Sequence, residues 1–250
     1  MLVIFSICDR VKLLPYFLRH YSSLGATRFE CALYMGAENP FHDQIVHYTS
    51  LYDFHIRPSI TCDIDDYNGI FVAPILNTIR KEYSRQFPWY CIADLDEFGF
   101  FHGKSMPEMI KEATERGCEA VHGVFFDRIA ADGYFPDIDG PLDDTFTLAC
   151  DLTRVVGGCC QKVVLCRNNI EITAGHHTAR ARNIWRNAAE VHHFKWVKGI
   201  DKTMEDRYRR ELKQKLPWAK NLPKVINILK HRINLNDQTL NVRPAARLGI

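Results

Sequence analysis

Three carboxylates directly follow an apolar segment in the middle of the chain. Residues 89–93 form an apolar run typical of a buried strand, and Asp94, Asp96 and Glu97 come after it. Alternate side chains of an extended chain point the same way, so Asp94 and Asp96 are expected to share a face from which Glu97 points away. Paired carboxylate oxygens favour Mg²⁺ or Mn²⁺, with phosphate oxygens completing the coordination. The pattern therefore predicts a metal–phosphate site, in which the cation would offset charge on a departing diphosphate.

A competing interpretation is that these carboxylates cap the following turn or helix, since an isolated Asp-x-Asp occurs often by chance. The apolar strand before them and the aromatic residues Phe98, Phe100 and Phe101 after them favour the metal–phosphate interpretation. Glu97 is then expected to support the metal site or to bind the acceptor, without being a direct ligand.

The elements that must position this site alternate along the first hundred residues. Apolar runs at 2–8, 28–35 and 89–93 predict strands, and apolar residues at helical spacing predict helices at 12–24 and 66–83. Such alternation indicates an α/β fold with a largely parallel sheet. Ligands of such sheets bind at the carboxyl ends of the strands, where the acidic segment lies.

The pattern is looser after the acidic segment. Residues 127–147 are rich in Asp, Gly and Pro and predict a long loop, while 161–166 and 170–174 predict a hairpin. The other predicted elements are strands at 120–126 and 191–197 and helices at 107–116, 201–215 and 220–231. We therefore expect an α/β domain over residues 1–200 and a basic helical extension over 201–250.

Charge and hydropathy exclude several classes of protein. The chain carries 32 Lys and Arg against 30 Asp and Glu, a balance that argues against a dedicated nucleic-acid-binding protein. Basic residues concentrate at 178–232, with 15 Lys and Arg against 5 Asp and Glu. A solvated helical face explains most of them, and the alternative is peripheral contact with an anionic membrane surface. The sequence contains no uninterrupted apolar stretch of about 18 residues, the length that a membrane-spanning helix needs. Residues 1–9 are typical of a first strand and not of a signal peptide. We expect a cytoplasmic protein whose nine scattered cysteines stay reduced.

Residues 92–98 resemble the strand-end Asp-x-Asp-Glu-Phe motif of GT-A-fold glycosyltransferases, and more narrowly the branch related to families 2 and 92. The start of the chain is similar to that branch, in which a first strand leads to a helix ending in Leu-Gly, here Leu24-Gly25. The branch usually carries Asn-Glu where this chain has Cys8-Asp9. Further resemblance lies in Lys162-Val163-Val164, Gly175-His176-His177 and residues 191–196. The resemblance covers about residues 1–200 and implies a mixed, mainly parallel GT-A sheet flanked by helices.

The resemblance also implies a set of metal ligands. Asp96 is expected to hold the divalent cation, Mn²⁺ or Mg²⁺, and Asp94 to contact both the cation and the sugar nucleotide. A downstream histidine usually completes the metal coordination in this fold. His193 is the predicted ligand, with His176 or His177 as the alternative.

The nucleotide-sugar donor is expected to lie near the strand ends. Asp9 and Arg10 follow the first strand, where the base and ribose should lie. Asp65 could accept a hydrogen bond from the base, although capping of the next helix is the competing explanation. Lys162 and Lys195 are predicted to add positive charge beside the diphosphate, and Lys195 shares a strand face with the predicted histidine.

On the acceptor side, an inverting transfer needs a carboxylate base to deprotonate the hydroxyl. Residues 126–133 resemble the acceptor side of related enzymes, and Asp127 is the first candidate for this base, with Asp132 the second. Either of them could instead be a turn residue. The predicted acceptor is a glycan or glycolipid.

The leading hypothesis is thus a metal-dependent glycosyltransferase of surface polysaccharide or glycolipid synthesis. The first alternative is a haloacid-dehalogenase-like phosphatase, which also uses Asp-x-Asp after a strand but usually continues with a small pair such as Gly-Thr. The second alternative is a non-catalytic sugar- or nucleotide-binding module, which the aromatic content permits, including Trp185 and Trp196.

Overall fold

A computed structural model describes residues 1–7, 10–34, 41–57, 69–216, 219–229 and 232–250, which form two compact units. The first unit comprises Met1–Val124 and Gln161–Val191, and the second comprises Phe125–Cys160 and His192–Ile250. The boundary predicted at residue 200 therefore differs from the observed division, because the last fifty residues belong to the same unit as Phe125–Cys160.

Strands and helices alternate along the chain. The strands are β1 Leu2–Ile7, β2 Arg28–Leu33, β3 Phe54–Arg57, β4 Trp89–Asp94, β5 Glu97–Phe100, β6 Ala120–Ile129, β7 Leu148–Cys150, β8 Gln161–Arg167, β9 Ile184–His193 and β10 Arg243–Pro244. The α-helices are α1 Leu14–Ser23, α2 His42–Leu51, α3 Gly69–Glu82, α4 Met106–Glu115, α5 Leu142–Thr145, α6 Leu152–Val155, α7 Ile200–Lys213 and α8 Leu222–Leu229.

The first unit is built on a sheet with the strand order β6-β8-β4-β1-β2-β3. The pairs β1–β2, β1–β4 and β2–β3 are parallel, whereas β8 runs antiparallel to β4 and β6. The predicted mixed, mainly parallel α/β sheet is confirmed. All residues of β1 are buried, which explains why its sequence is apolar apart from Ser6 and lacks polar alternation.

The helices of this unit cover the sheet with their apolar faces. Leu76 of α3 packs in one cluster with Leu2, Ile4 and Ile92 of the central strands. The helix predicted at 12–24 is confirmed as α1, preceded by one 3₁₀ turn. It ends before Gly25, whose φ of 98° lies in the left-handed region that glycine adopts without strain.

The position of β8 was not predicted. The hairpin expected from 161–166 and 170–174 is wrong, because β8 pairs instead with β4 and β6. Within the described residues, the segment 170–174 contributes only an isolated bridge between Ile172 and Ala179. A strand buried between two neighbours gains hydrogen bonds along both edges, and these non-local pairs outweigh a local turn.

The second unit joins a small antiparallel sheet, β6-β7-β10, to the C-terminal helices. Its core packs Ile129 of β6 with Trp196, Ile200 and Met204, and with Leu222 of α8. The predicted loop at 127–147 is thus partly structured, since β6 continues to Ile129 and α5 forms within it. None of the helices in the described part of the chain is long and apolar enough to cross a membrane.

Candidate active site

The acidic segment lies where two parallel strands of the first unit end. Ser6 near the end of β1 is aligned with Asp94, the last residue of β4. Arg10, which follows β1, and the carboxylates that follow β4 therefore lie at the same edge of the sheet, the usual ligand edge of an α/β sheet.

The chain turns immediately after this point. β4 ends at Asp94, a turn follows at residues 95–96, and β5 begins at Glu97. The predicted alternation of Asp94 and Asp96 along one strand therefore stops at Asp94. The turn directs the Glu97 side chain back toward the end of β4, and Glu97 Oε2 accepts a hydrogen bond from the Asp94 N–H at 3.3 Å. The expectation that Glu97 points away from the site is wrong for this reason.

Lys162 of β8 joins two of the carboxylates. Its Nζ lies 2.9 Å from Asp94 Oδ2 and 2.7 Å from Glu97 Oε1, and the residue is only 4% exposed. Burial opposes the charge of Lys162, but the two carboxylates raise its pKa above the ordinary value. Burial likewise opposes ionisation of Asp94, but Lys162 lowers the pKa of that carboxyl to about 2. Lys162 and Asp94 are therefore both charged at neutral pH.

Arg10 pairs with the remaining carboxylate. Its NH1 donates to Asp96 Oδ2 at 2.6 Å, and both side chains are largely enclosed. The backbone of Arg10 has a φ of 54°, in the left-handed region that non-glycine residues rarely adopt. Strain of this kind is retained most often where a side chain must be held in one direction.

A buried histidine completes the cluster. His176 is 2% exposed, and its Nδ1 has no hydrogen-bond partner among the described residues. This nitrogen lies 4.0 Å from Asp94 Oδ1, and burial lowers the pKa of the ring to about 3, so the imidazole is neutral at pH 7. Consecutive left-handed residues place it there, since φ is 67° at Gly175 and 53° at His176.

These residues can supply a set of metal ligands. One potential ligand atom each from Asp94, Glu97 and His176 lies within 4.8 Å of the others. Two carboxylates and a neutral imidazole are suitable donors for Mg²⁺ or Mn²⁺. The buried Nδ1 of His176, which forms no hydrogen bond with any described residue, is the observation that fits a cation, because a buried nitrogen without a partner is costly unless something binds it.

Sequence reasoning ranked Glu97 too low, because it assumed that the chain stays extended through Asp96 and therefore pointed this side chain away from the site. The preference for His193 over His176 as the metal ligand stays a prediction. The glycine before His176 is the sequence signal for the left-handed turn that holds this histidine.

Two other predicted residues meet in the second unit. Asp127 Oδ1 accepts hydrogen bonds from His193 Nδ1 at 3.0 Å, from Trp196 Nε1 at 2.7 Å and from the Thr153 hydroxyl at 2.7 Å. The Thr153 N–H donates to Asp127 Oδ2 at 2.5 Å. Because a carboxylate only accepts, His193 must carry its proton on Nδ1, and in the neutral ring Nε2 then carries the lone pair.

These contacts also set the charge of Asp127. Burial opposes its ionisation, but the hydrogen bonds from His193 and Thr153 lower the pKa below the ordinary value. The catalytic role of Asp127 and the metal role of His193 stay predictions. Four donors on one carboxylate favour a role for Asp127 in holding the histidine.

The other predicted residues have simpler surroundings. Asp132 is exposed and accepts a hydrogen bond from the Tyr134 N–H at 2.9 Å, as a turn aspartate does. The Lys195 ammonium lies 5.2 Å from the centre of the Trp196 ring, in the second unit. Asp9 and Asp65 lie outside the described residues.

Comparison with known proteins adds little to this geometry. No protein-family model matches the chain, and no curated protein matches it. Among solved structures, HddC from Yersinia pseudotuberculosis is 11% identical over 78% of this chain and 77% of that chain, with a TM-score of 0.31. Similarity at this level carries no argument about the activity of this protein.

Proposed function

We propose that the protein is a metal-dependent glycosyltransferase that moves a sugar from a nucleotide-sugar donor to an acceptor hydroxyl. The observation that carries the proposal is the cluster after β4, in which carboxylates and basic side chains lie together with the buried Nδ1 of His176, a nitrogen that has no hydrogen-bond partner in the described part of the chain. This combination suits a cation together with a diphosphate, since it offers ligands for the one and positive charge for the other.

In this proposal Asp94, Glu97 and His176 hold the cation. When bound, the cation would offset the negative charge that develops on the departing diphosphate. Glu97 replaces Asp96 in the ligand set that the sequence predicted. The ion pair between Arg10 and Asp96 keeps the guanidinium at the end of β1, where it can donate to a phosphate or ribose oxygen.

Asp127 and His193 are the proposed acid–base residues. Asp127 accepts a hydrogen bond from Nδ1 of His193, so a neutral ring carries its lone pair on Nε2, and an imidazole in this form can take the proton of an acceptor hydroxyl. The sequence-based role of His193 as a metal ligand uses the same lone pair. Mn²⁺ affinity of a His193→Gln variant separates the two roles, because only the loss of a ligand weakens metal binding.

The acceptor class comes from the resemblance alone. A glycan or glycolipid hydroxyl is the proposed acceptor, and a peripheral membrane contact through the basic C-terminal part of the chain, which includes α7, belongs to the same proposal. Some basic residues of α7 already pair with acidic residues of the helix, as Arg207 does with Glu211 and Arg209 with Glu205.

The test is ligand binding measured by thermal shift. UDP, GDP, CDP and CMP are each added with and without Mn²⁺ to the wild type, to Asp94→Asn and to a control, Asp43→Asn, in which an exposed carboxylate of α2 undergoes the same change. A ligand that binds the native state raises the melting temperature. We expect one nucleotide to stabilise the wild type and the control only with Mn²⁺, and Asp94→Asn to lose this response.

Two outcomes would contradict the proposal. Stabilisation by a nucleotide that Asp94→Asn retains in full would remove this cluster from the donor site. Absence of any nucleotide response, together with Mg²⁺-dependent hydrolysis of para-nitrophenyl phosphate that Asp94→Asn loses, would favour the phosphatase alternative.

A further inference from the structure

Lys162 occupies a position that a bound cation would share. Its ammonium lies within hydrogen-bond distance of Asp94 and Glu97, the two carboxylates of the candidate metal site. The lysine is buried and comes from β8, a strand held on both sides by β4 and β6. The ammonium is therefore a fixed part of the site and not a mobile surface charge.

The fixed ammonium of Lys162 would repel a metal ion bound to the same carboxylates. Asp94 and Glu97 both contact the ammonium of Lys162, and Asp96 pairs with the guanidinium of Arg10. A metal ion bound to Asp94 and Glu97 would also lie close to the ammonium, and like charges a few ångströms apart in a partly buried site repel strongly.

We propose that Lys162 is a built-in counter-cation that keeps the affinity of the free protein for divalent metal low, so that the metal binds tightly only together with a nucleoside diphosphate. The negative charge of a diphosphate beside the site offsets the excess positive charge of metal and lysine. Each ligand then raises the affinity for the other by the same factor. The inference rests on the proposed function, because it assigns the metal and the diphosphate to this cluster.

The experiment measures Mn²⁺ affinity, by the electron paramagnetic resonance signal of free Mn²⁺, in metal-free protein without any sugar or acceptor. Lys162→Met removes the charge while keeping an unbranched side chain, and Lys162→Arg keeps the charge. The control is Lys104→Met, the same change at an exposed lysine that pairs with Glu112. Circular dichroism establishes that each variant is folded.

We expect Lys162→Met to bind Mn²⁺ at least about tenfold more tightly than the wild type, because a repelling charge near the metal is gone. Lys104→Met and Lys162→Arg should keep the weak affinity. In the wild type, saturating UDP, GDP or CDP should tighten Mn²⁺ binding at least about tenfold, after correction for the metal–nucleotide complex in solution. This measurement uses the wild type alone, so the predicted coupling between metal and diphosphate can be refuted even when Lys162→Met does not fold.

The results separate this inference from the proposed function. Equal Mn²⁺ affinity in the wild type and Lys162→Met, with loss of binding in Asp94→Asn, overturns the counter-cation role and leaves the metal site standing. Wild-type Mn²⁺ affinity that no nucleotide improves overturns it as well. Absence of Mn²⁺ binding in every variant, with or without nucleotide, overturns both the inference and the metal-dependent function.

Discussion

Replacement of Asp127 by asparagine is expected to destabilise the second unit. Asp127 is 1% exposed, and its carboxylate accepts hydrogen bonds from the side chains of Thr153, His193 and Trp196 and from the Thr153 N–H. An asparagine keeps the shape, but its amide NH₂ faces at least one of these donors, and the charge that strengthened the remaining bonds is lost.

The size of the effect follows from those bonds. One buried donor left without an acceptor costs about 1–3 kcal/mol, and hydrogen bonds to a neutral acceptor are weaker than those to a charged one. Together these losses predict that Asp127→Asn lowers the free energy of unfolding by about 2–4 kcal/mol at pH 7. That is a large share of the total stability of an ordinary domain.

The effect should depend on pH in one direction. The pKa of Asp127 is lower in the folded protein than its ordinary value, which is about 3.9 in an unfolded chain. A carboxyl group of this kind contributes stability that is present above the unfolded pKa and is lost as the pH falls through the folded pKa. The difference between the wild type and Asp127→Asn should be full above about pH 5 and should shrink below about pH 4.

The assay is urea unfolding followed by near-ultraviolet circular dichroism, with the midpoint compared at constant slope. The matched control is Asp132→Asn, an exposed aspartate of the same unit that accepts only a turn hydrogen bond in the described contacts and should change stability by less than about 0.5 kcal/mol. A destabilisation of Asp127→Asn as small as that of the control, or one that grows as the pH falls, would refute the reasoning.

Three further predictions concern the first unit. His176→Ala should weaken Mn²⁺ binding at least about tenfold. His177→Ala should retain the affinity, because the wild-type His177 ring bonds to a backbone carbonyl and is not one of the proposed ligands. Equal Mn²⁺ affinities of the two variants would remove His176 from the ligand set. Gly123→Ala places a methyl group 2.7 Å from a valine of β9 and should lower the free energy of unfolding by about 1–3 kcal/mol. Gly140→Ala, where the added methyl group would meet open space, should lower it by less. Equal urea midpoints for the two variants would contradict the packing argument. Ser105→Ala removes the capping box of α4 and should cost about 1 kcal/mol in thermal or urea unfolding, and an unchanged midpoint would show that the cap does not contribute.

The secondary structure of the central sheet was predictable from the sequence. The strands β1 and β4 are short apolar runs, and their burial follows from that composition. The placement of Asp94 at a strand end was equally local, because the run of apolar residues stops there. Since parallel strands present their carboxyl ends at one edge, the general position of the site also follows from the order of elements.

The composition of the site depended on contacts that spacing along the chain does not encode. Lys162 reaches Asp94 because β8 inserts between β4 and β6, a pairing that the sequence suggested would be a local hairpin. The direction of Glu97 depended on a turn that interrupts the expected alternation after Asp94.

The division of the chain into two units likewise depends on contacts between residues far apart in the sequence. Asp127 is held by Thr153 and Trp196, which lie 26 and 69 residues away in the sequence. The pKa values of these carboxylates likewise depend on burial and on distant partners. Local periodicity determines which segments become strands and helices, because it reflects the interactions of neighbouring residues. Strand pairing, ion pairs and protonation arise between residues far apart in the chain, and only the tertiary structure decides them.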